Sequence, residues 1–379
     1  SAAEQSFKVG GGGVARLRAL PGGQRVLVAG MDGSVGVYNL RRRTWDRQLV
    51  VSHRETIFAC EFKANDKNIM ATGSFDGTVK IWDVSRMEEV DSYSLDSGVV
   101  YGIAWPTAPG DNRMACCTAQ GKVLVVDTSP NKRSVLHRVQ VHDGLVYSIS
   151  WLAGEELLAT AGADGKAVVL SPDGAHQSPL KLPGACYGCD FTYYKGERVL
   201  ATSCDNGAVF AHLVDGAPGA LRPHWDFKGH TAKSFGVRFS PLLAGRLAST
   251  SDDCTVRVWD LAAGPSSSGD PVVLRGHAQR TRAVAWHHEI PFILLSGSWD
   301  GCIRAWDIRG AGSCLRVVMD HHADVYGLSS HPGRPFCFAS TSRDTTLRFW
   351  AADILAPEVH LLASVSDDWS ADGLVGLPL

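Results

Sequence analysis

Charge of one sign is missing from this 379-residue chain: 37 Lys and Arg stand against 39 Asp and Glu, a formal net charge of -2. That balance supplies no global positive field, which argues against nucleic acid as a general partner. No apolar run approaches the ~18–20 residues that span a bilayer, and the opening SAAEQSFKVG lacks the basic-then-apolar pattern of a secretory signal. The expectation is a cytoplasmic protein with protein or peptide partners, no nucleic acid and no membrane span. A 3.6-residue apolar stripe is also absent, so long amphipathic helices are not expected.

Paired metal-ligand spacings are equally scarce. Ten cysteines include one C-x-x-C (Cys186, Cys189) and one adjacent pair (Cys116, Cys117), without a second pair or histidines at ligand spacing. They read as buried, reduced thiols. Cys186 and Cys189 fall in one short strand, where alternation points them to opposite faces. No metal and no cofactor are expected. The glycine run at 10–13 lacks a Gly-Lys-Ser/Thr ending, and neither H-E-x-x-H nor G-x-S-x-G occurs.

What is abundant is glycine, at 40 residues, and tryptophan, at 11 against 5 methionines. Many turns with large planar side chains between them direct attention to internal repeats. ATGSFDGTVKIWD (71–83), LASTSDDCTVRVWD (247–260), LLSGSWDGCIRAWD (294–307) and FASTSRDTTLRFWA (338–351) align without gaps. Weaker copies place the eight turn positions at Asp32, Asp76, Gln120, Asp164, Asn206, Asp253, Asp300 and Asp344, spaced by 42 to 47 residues. Each copy reads as alternation, a two-residue Asp-Gly-type turn and alternation again, which is a hairpin. Short β-like runs such as VYGIAW precede each hairpin and a fourth run follows, giving four strands per unit.

These motifs resemble the WD-repeat β-propeller family over nearly the whole chain, so the expected fold is all-β. The resemblance implies one hydrogen-bonded set per complete blade. The sets are His53, Thr72, Asp76 and Trp82; His230, Ser249, Asp253 and Trp259; His277, Ser296, Asp300 and Trp306; and His321, Ser340, Asp344 and Trp350. In each, the histidine lies 23 residues before the turn Asp. A Ser/His/Asp trio in a cleft would suggest hydrolysis, but an active site has no reason to recur with the blade period. The protein is therefore read as no enzyme.

The unit around Asp32 departs from the rest, with Val28 and Tyr38 where Ser/Thr and Trp are expected. It also lacks the aromatic or arginine that marks the others: Phe58, Tyr101, Tyr147, Tyr187, Phe235, Arg282 and Tyr326. Residues 52–366 are thus expected to form a seven-bladed ring, with 1–51 the last blade of a preceding propeller and 367–379 a tail. The alternative is an eight-bladed ring in which residues 5–9 supply the last blade's outer strand. RETIFACEFK and FKGHTAKSFGVRFSPL further resemble propellers of long tandem-propeller proteins, an arrangement similar to intraflagellar transport and vesicle-coat subunits. Membership of a multi-subunit assembly, with ciliary or cytoskeletal association by analogy, follows from that resemblance.

The third and fifth units place Val126 and His212 where tryptophan is expected, and His212 reads as a partly exposed strand residue. The stretch AAGPSSSGDPVV (262–273) reads as a surface loop. The leading function is a non-catalytic scaffold whose top face, around Phe75, Arg282, Trp299, Arg343, Tyr101, Tyr147 and Tyr326, contacts a partner. Phe75 and Trp299 are expected to be exposed there. The alternative is an aromatic cage for a modified peptide, with Asp252 and Asp324 as its acids.

Overall fold

The alternation and the Asp-Gly turns become antiparallel hairpins throughout. A computed structural model describes four strands within 14–48, then residues 53–352 except 85–87, 97, 130–133, 217–219, 265–269, 320 and 334–336, and finally 359–364. Every sheet has four strands in sequence order. Blade one comprises Ile57–Lys63, Asp66–Ser74, Thr78–Asp83 and Glu88–Ser94. Blades two to seven repeat this plan, with first strands Val100–Ala104, Val146–Trp151, Cys186–Tyr194, Ser234–Phe239, Thr281–Trp286 and Val325–Ser330.

First strands of successive blades pack side by side, and Val325–Ser330 of blade seven packs against Ile57–Lys63 of blade one. The ring is therefore a seven-bladed propeller. Closure is by side chains: Phe62 meets Phe349 and His331 at ring-centroid distances of 6.4 and 4.9 Å, and Ser329 donates to Glu61 at 3.2 Å. The last blade's outer strand is its own Val359–Ser364. This corrects the eight-bladed alternative, whose residues 5–9 lie outside the described residues. A further sheet of Val14–Ala19, Arg25–Gly30, Val35–Asn39 and Thr44–Gln48 precedes the ring; its turn Asp32 and the tail 367–379 also lie outside the described residues.

The second residue of each hairpin turn sits in the left-handed backbone region. Glycine fills it in five blades, but Cys254 and Thr345 hold it in blades five and seven, at φ of 65° and 66°. Seven apolar clusters, one between each pair of neighbouring blades, make up the apolar core. In blade two, where the turn is Gln120, residues Val123, Leu124, Val125 and Val126 are completely buried, so packing replaces the polar network.

Each first strand carries a register shift at its aromatic or arginine position: Phe58, Tyr101, Tyr147, Tyr187, Phe235, Arg282 and Tyr326 all fall in such a gap. A bulge re-aims the side chain it contains and resets the alternation after it. That accounts for a departure from the sequence expectation. Cys186 and Cys189 flank the bulge at Tyr187 and bury in the same apolar cluster rather than on opposite faces. Burial pushes the Cys189 thiol up to about 12, which makes it an inert packing group.

His212 is completely buried, contrary to its expected partial exposure. It occupies the site that indole occupies in other blades, and its Nε2 lies 2.9 Å from Thr202 Oγ1. Nδ1 has no partner among the described residues. Desolvation alone lowers its pKa to about 4. Because the unfolded imidazole titrates near ~6.5, its contribution is complete above that pH and is lost as pH falls toward 4, for a total on the order of 3 kcal/mol. His212→Gln keeps an amide donor without a proton to bind. Urea melts between pH 4 and 7 should therefore show a shallower acid loss in the variant, and an unchanged slope would refute the assignment.

Candidate functional site

Four blades contain the same polar relay, built from the second and third strands and the loop before the first. In blade six, Trp306 Nε1 donates to Ser296 Oγ at 2.7 Å, Ser296 pairs with His277 Nε2 at 2.7 Å, and His277 Nδ1 pairs with Asp300 at 3.0 Å. The donors run one way: indole to hydroxyl, hydroxyl to imidazole, imidazole to carboxylate. Blade one repeats it through Trp82, Thr72, His53 and Asp76 at 2.9, 2.8 and 3.2 Å. Blade five uses Trp259, Ser249, His230 and Asp253 at 2.8, 2.9 and 2.8 Å. Blade seven uses Trp350, Ser340, His321 and Asp344 at 2.8, 2.6 and 2.8 Å. Blade three keeps His142, Thr160 and Asp164 but has no tryptophan in the relay.

Burial alone would raise the four carboxyls, yet the histidine hydrogen bonds and neighbouring hydroxyl or amide donors hold Asp76, Asp253, Asp300 and Asp344 well below the usual carboxylate range. The hydroxyl in each relay is fully buried beneath its indole. No substrate atom can approach it, so the recurring trio braces turns rather than presenting a nucleophile.

The bulged residues converge on the top mouth of the channel and form a closed circuit. Phe58 meets Tyr101 at 4.9 Å, Tyr101 meets Tyr147 at 5.6 Å, Tyr147 meets Tyr187 at 4.8 Å, and Tyr187 meets Phe235 at 4.3 Å. Arg282 stacks 3.3 Å over Phe235 and 4.6 Å from Trp299. Trp299 meets Tyr326 at 6.4 Å, and Tyr326 returns to Phe58 at 5.1 Å. The circuit rims a cavity of about 310 Å³, within the range of small-ligand and side-chain pockets.

At this rim one expectation changes, and the charges expected beside the rings prove to be paired. Trp299 is half-buried rather than exposed, pressed between Arg280 and Arg282 at 4.9 and 4.6 Å. Arg282 is no free cation: its side chain is 8% exposed and pairs with Asp252 at 2.5 Å. Asp324 is likewise engaged, by Tyr326 at 3.4 Å and Arg343 at 3.7 Å, so neither proposed cage acid is unclaimed. Phe75, 52% exposed, and the Arg343 side chain, 66% exposed, do face solvent. Phe75 extends the circuit outward through Phe58 at 6.3 Å.

Sequence reasoning missed a second tier deeper in the channel. The residue three beyond each bulge position is Glu61, Ala104, Ser150, Asp190, Arg238, Ala285 or Ser329. Three charges inside otherwise apolar strands were the available signal.

Seven four-stranded blades around a channel, four of them braced by a His–Ser/Thr–Asp relay under tryptophan, define a WD-repeat β-propeller. A family model described as "WD domain, G-beta repeat" matches residues 46–83, 133–174, 221–260, 271–307 and 312–351. The chain belongs to that family. The unmatched stretches 84–132 and 175–220 contain Gln120 and Asn206, the turns that lack Asp. Among curated relatives is a guanine nucleotide-binding protein subunit beta of Zea mays, 27% identical over 240 residues, 61% of this chain and 62% of the relative. The chain thus spans less than two thirds of that relative's length. Among the described residues no helix is long and apolar enough to cross a membrane, and no cluster of three His, Cys, Asp or Glu is placed to hold a metal.

Proposed function

We propose that the ring is a non-catalytic interaction scaffold that docks a protein or peptide on its top face as one member of a larger assembly. The observation that carries this reading is the aromatic path from half-buried Trp299 through Tyr326 and Phe58 to exposed Phe75, with exposed Arg343 beside it. Aromatic and arginine side chains dominate binding hot spots. Tyr101 and Tyr147 belong to the inner circuit, where Arg282 serves as a stacking and ion-paired brace. Rim charges are mixed, with Lys233 on Asp205 at 2.9 Å and Arg343 near Asp324, which suits a specific protein surface better than a phosphate backbone. The modified-peptide reading is less favoured because Asp252 and Asp324 are already paired. Kinship to a G-protein β subunit fits a scaffold role.

In the same reading the ring resembles the second propeller of WD repeat-containing protein 17, residues 1–51 are the last blade of a preceding propeller, and the setting is cytoplasmic with ciliary or cytoskeletal association by architectural analogy. The boundary at residue 52 is tested with residues 52–366 expressed alone, which should unfold cooperatively; insolubility beside a stable 1–379 chain would overturn it. Docking is tested with Phe75→Ala/Arg343→Ala. Both positions are exposed, so melting should shift by no more than about 0.5 kcal/mol each, while partner affinity in quantitative co-purification falls roughly thirtyfold. Full retention of every partner by the folded double variant would place docking elsewhere.

A further inference from the structure

The second channel tier joins five blades across the axis. Arg238 of blade five reaches Glu61 of blade one at 2.7 Å and lies 3.7 Å from Asp190 of blade four. Ser329 of blade seven donates to Glu61 at 3.2 Å, and Ser150 of blade three donates to Asp190 at 3.2 Å. Asp190 also accepts from the Phe239 amide at 2.7 Å. Glu61 and Arg238 line the top cavity as well, so this tier is the septum between it and a lower cavity of about 480 Å³.

The lower cavity has a charge imbalance. Its lining carries two carboxyls, Glu61 and Asp190, against one guanidinium, Arg238, with the His288 imidazole also on the wall, an excess of one acidic group over fixed cations. The walls are aromatic: Trp105, Trp151, Trp286 and Phe239. Burial raises both carboxyls, with Arg238 offsetting part of that cost, so a further cation beside them would favour their charged forms. A separate feature points the same way. Ser330, 6% exposed, lines this cavity and its hydroxyl has no hydrogen-bond partner among the described residues. Lys63 and Arg113 already stack on Trp105 and Trp151 at 5.6 and 5.3 Å, so the indoles serve as apolar wall, while the orphaned Ser330 hydroxyl and the excess carboxyl share one complement, a compact cation bearing N–H donors on an alkyl stem.

We propose that the lower cavity is a binding site for an alkylammonium group, with Glu61 and Asp190 as the countercharge, Ser330 as an acceptor and the tryptophans as the apolar sleeve. The site lies across the septum from the top-face docking surface and does not depend on it. The alkyl chain packs along the indoles while the ammonium reaches the septum.

The experiment uses the full chain with n-butylammonium chloride as probe and n-butanol as its uncharged match, read by ligand-observed saturation-transfer NMR and by tryptophan fluorescence at constant ionic strength. Butylammonium should bind and butanol should not, by a margin of at least about tenfold, the value of one modest ion pair. Glu61→Gln and Asp190→Asn should each weaken butylammonium binding by a similar factor. Arg238→Gln, which leaves two carboxylates unopposed, should strengthen it, a direction that misfolding cannot imitate. If the septum variants fail to fold, the ammonium–alcohol contrast on the wild type decides. A blocked Gly-Lys-Gly peptide separates sources: tighter binding than butylammonium assigns a lysine of a partner, weaker binding a free amine. Equal binding of the alcohol, or weakened binding in Arg238→Gln with the fold intact, overturns the proposal.

Discussion

Replacing Asp300 by alanine is expected to destabilise the ring by about 3 kcal/mol at neutral pH. The carboxylate accepts from His277 Nδ1 at 3.0 Å and from the amides of Ala278 and Cys302, both at 2.9 Å. His277 is 7% exposed and its other nitrogen is committed to Ser296, so water cannot easily replace the lost acceptor. One orphaned buried donor costs ~1–3 kcal/mol, and the two turn amides add a smaller share because solvent reaches them. The pH dependence carries the same signature. A carboxyl held below its unfolded value, near ~3.9, contributes stability that is complete above that pH and lost as pH falls toward the folded pKa. The wild-type advantage over Asp300→Ala should therefore shrink in strong acid. Gln120→Ala is the control, since Gln120 is exposed and, among the described residues, its carboxamide hydrogen-bonds only with Lys122, at 3.3 Å; it should change stability by no more than about 0.5 kcal/mol. Chemical denaturation of the two variants side by side decides the matter. Equal stability of Asp300→Ala and the wild type would mean the relay contributes nothing.

The relay was legible because it is periodic. A histidine 23 residues before each turn Asp, in four copies, leaves little freedom for any other arrangement. The aromatic circuit was legible for the same reason, one residue per blade. Its energetics were not: a turn tryptophan reads as exposed until the arginines that flank it are placed, and Arg280 and Arg282 reach Trp299 from across the turn. His212 misled in a similar way. Without histidine and Asp partners in its blade it looked free of the network, yet it fills the indole site against Thr202. The septum escaped notice because Glu61, Asp190 and Arg238 are 48 to 177 residues apart, and only closure of the ring brings one from each of three blades together. Bulges compound the difficulty. They break the two-residue alternation, so a period-2 reading sends Cys186 and Cys189 to opposite faces when they share a core cluster.

Phe62→Ala should have the largest effect on the fold, about 4 kcal/mol, because Phe62 sits at the seam where the ring closes on itself. Its side chain is 7% exposed and packs in one cluster with Met70 and Trp82 of blade one and Ala339, Leu347 and Phe349 of blade seven. Truncating a buried phenylalanine costs ~3–5 kcal/mol through lost transfer energy and the cavity left behind. The seam adds a consequence that other junctions lack. Phe191, 9% exposed between blades three and four, joins neighbours that remain tethered by the chain, whereas blades one and seven are joined here by side chains and the Ser329 contacts with Glu61 and the Phe62 amide. Each blade also supplies its own four strands, so no shared strand holds the ends together. In a ring whose stability is a sum of blade and interface contributions, weakening this interface opens the terminal blades first. Hydrogen exchange should accordingly lose protection in Ile57–Lys63 and Val325–Ser330 in Phe62→Ala, while Phe191→Ala loses it around blades three and four and leaves the seam closed. Wild-type protection at both seam strands in Phe62→Ala would show that closure does not rest on this contact, and would reopen the question of where the ring begins.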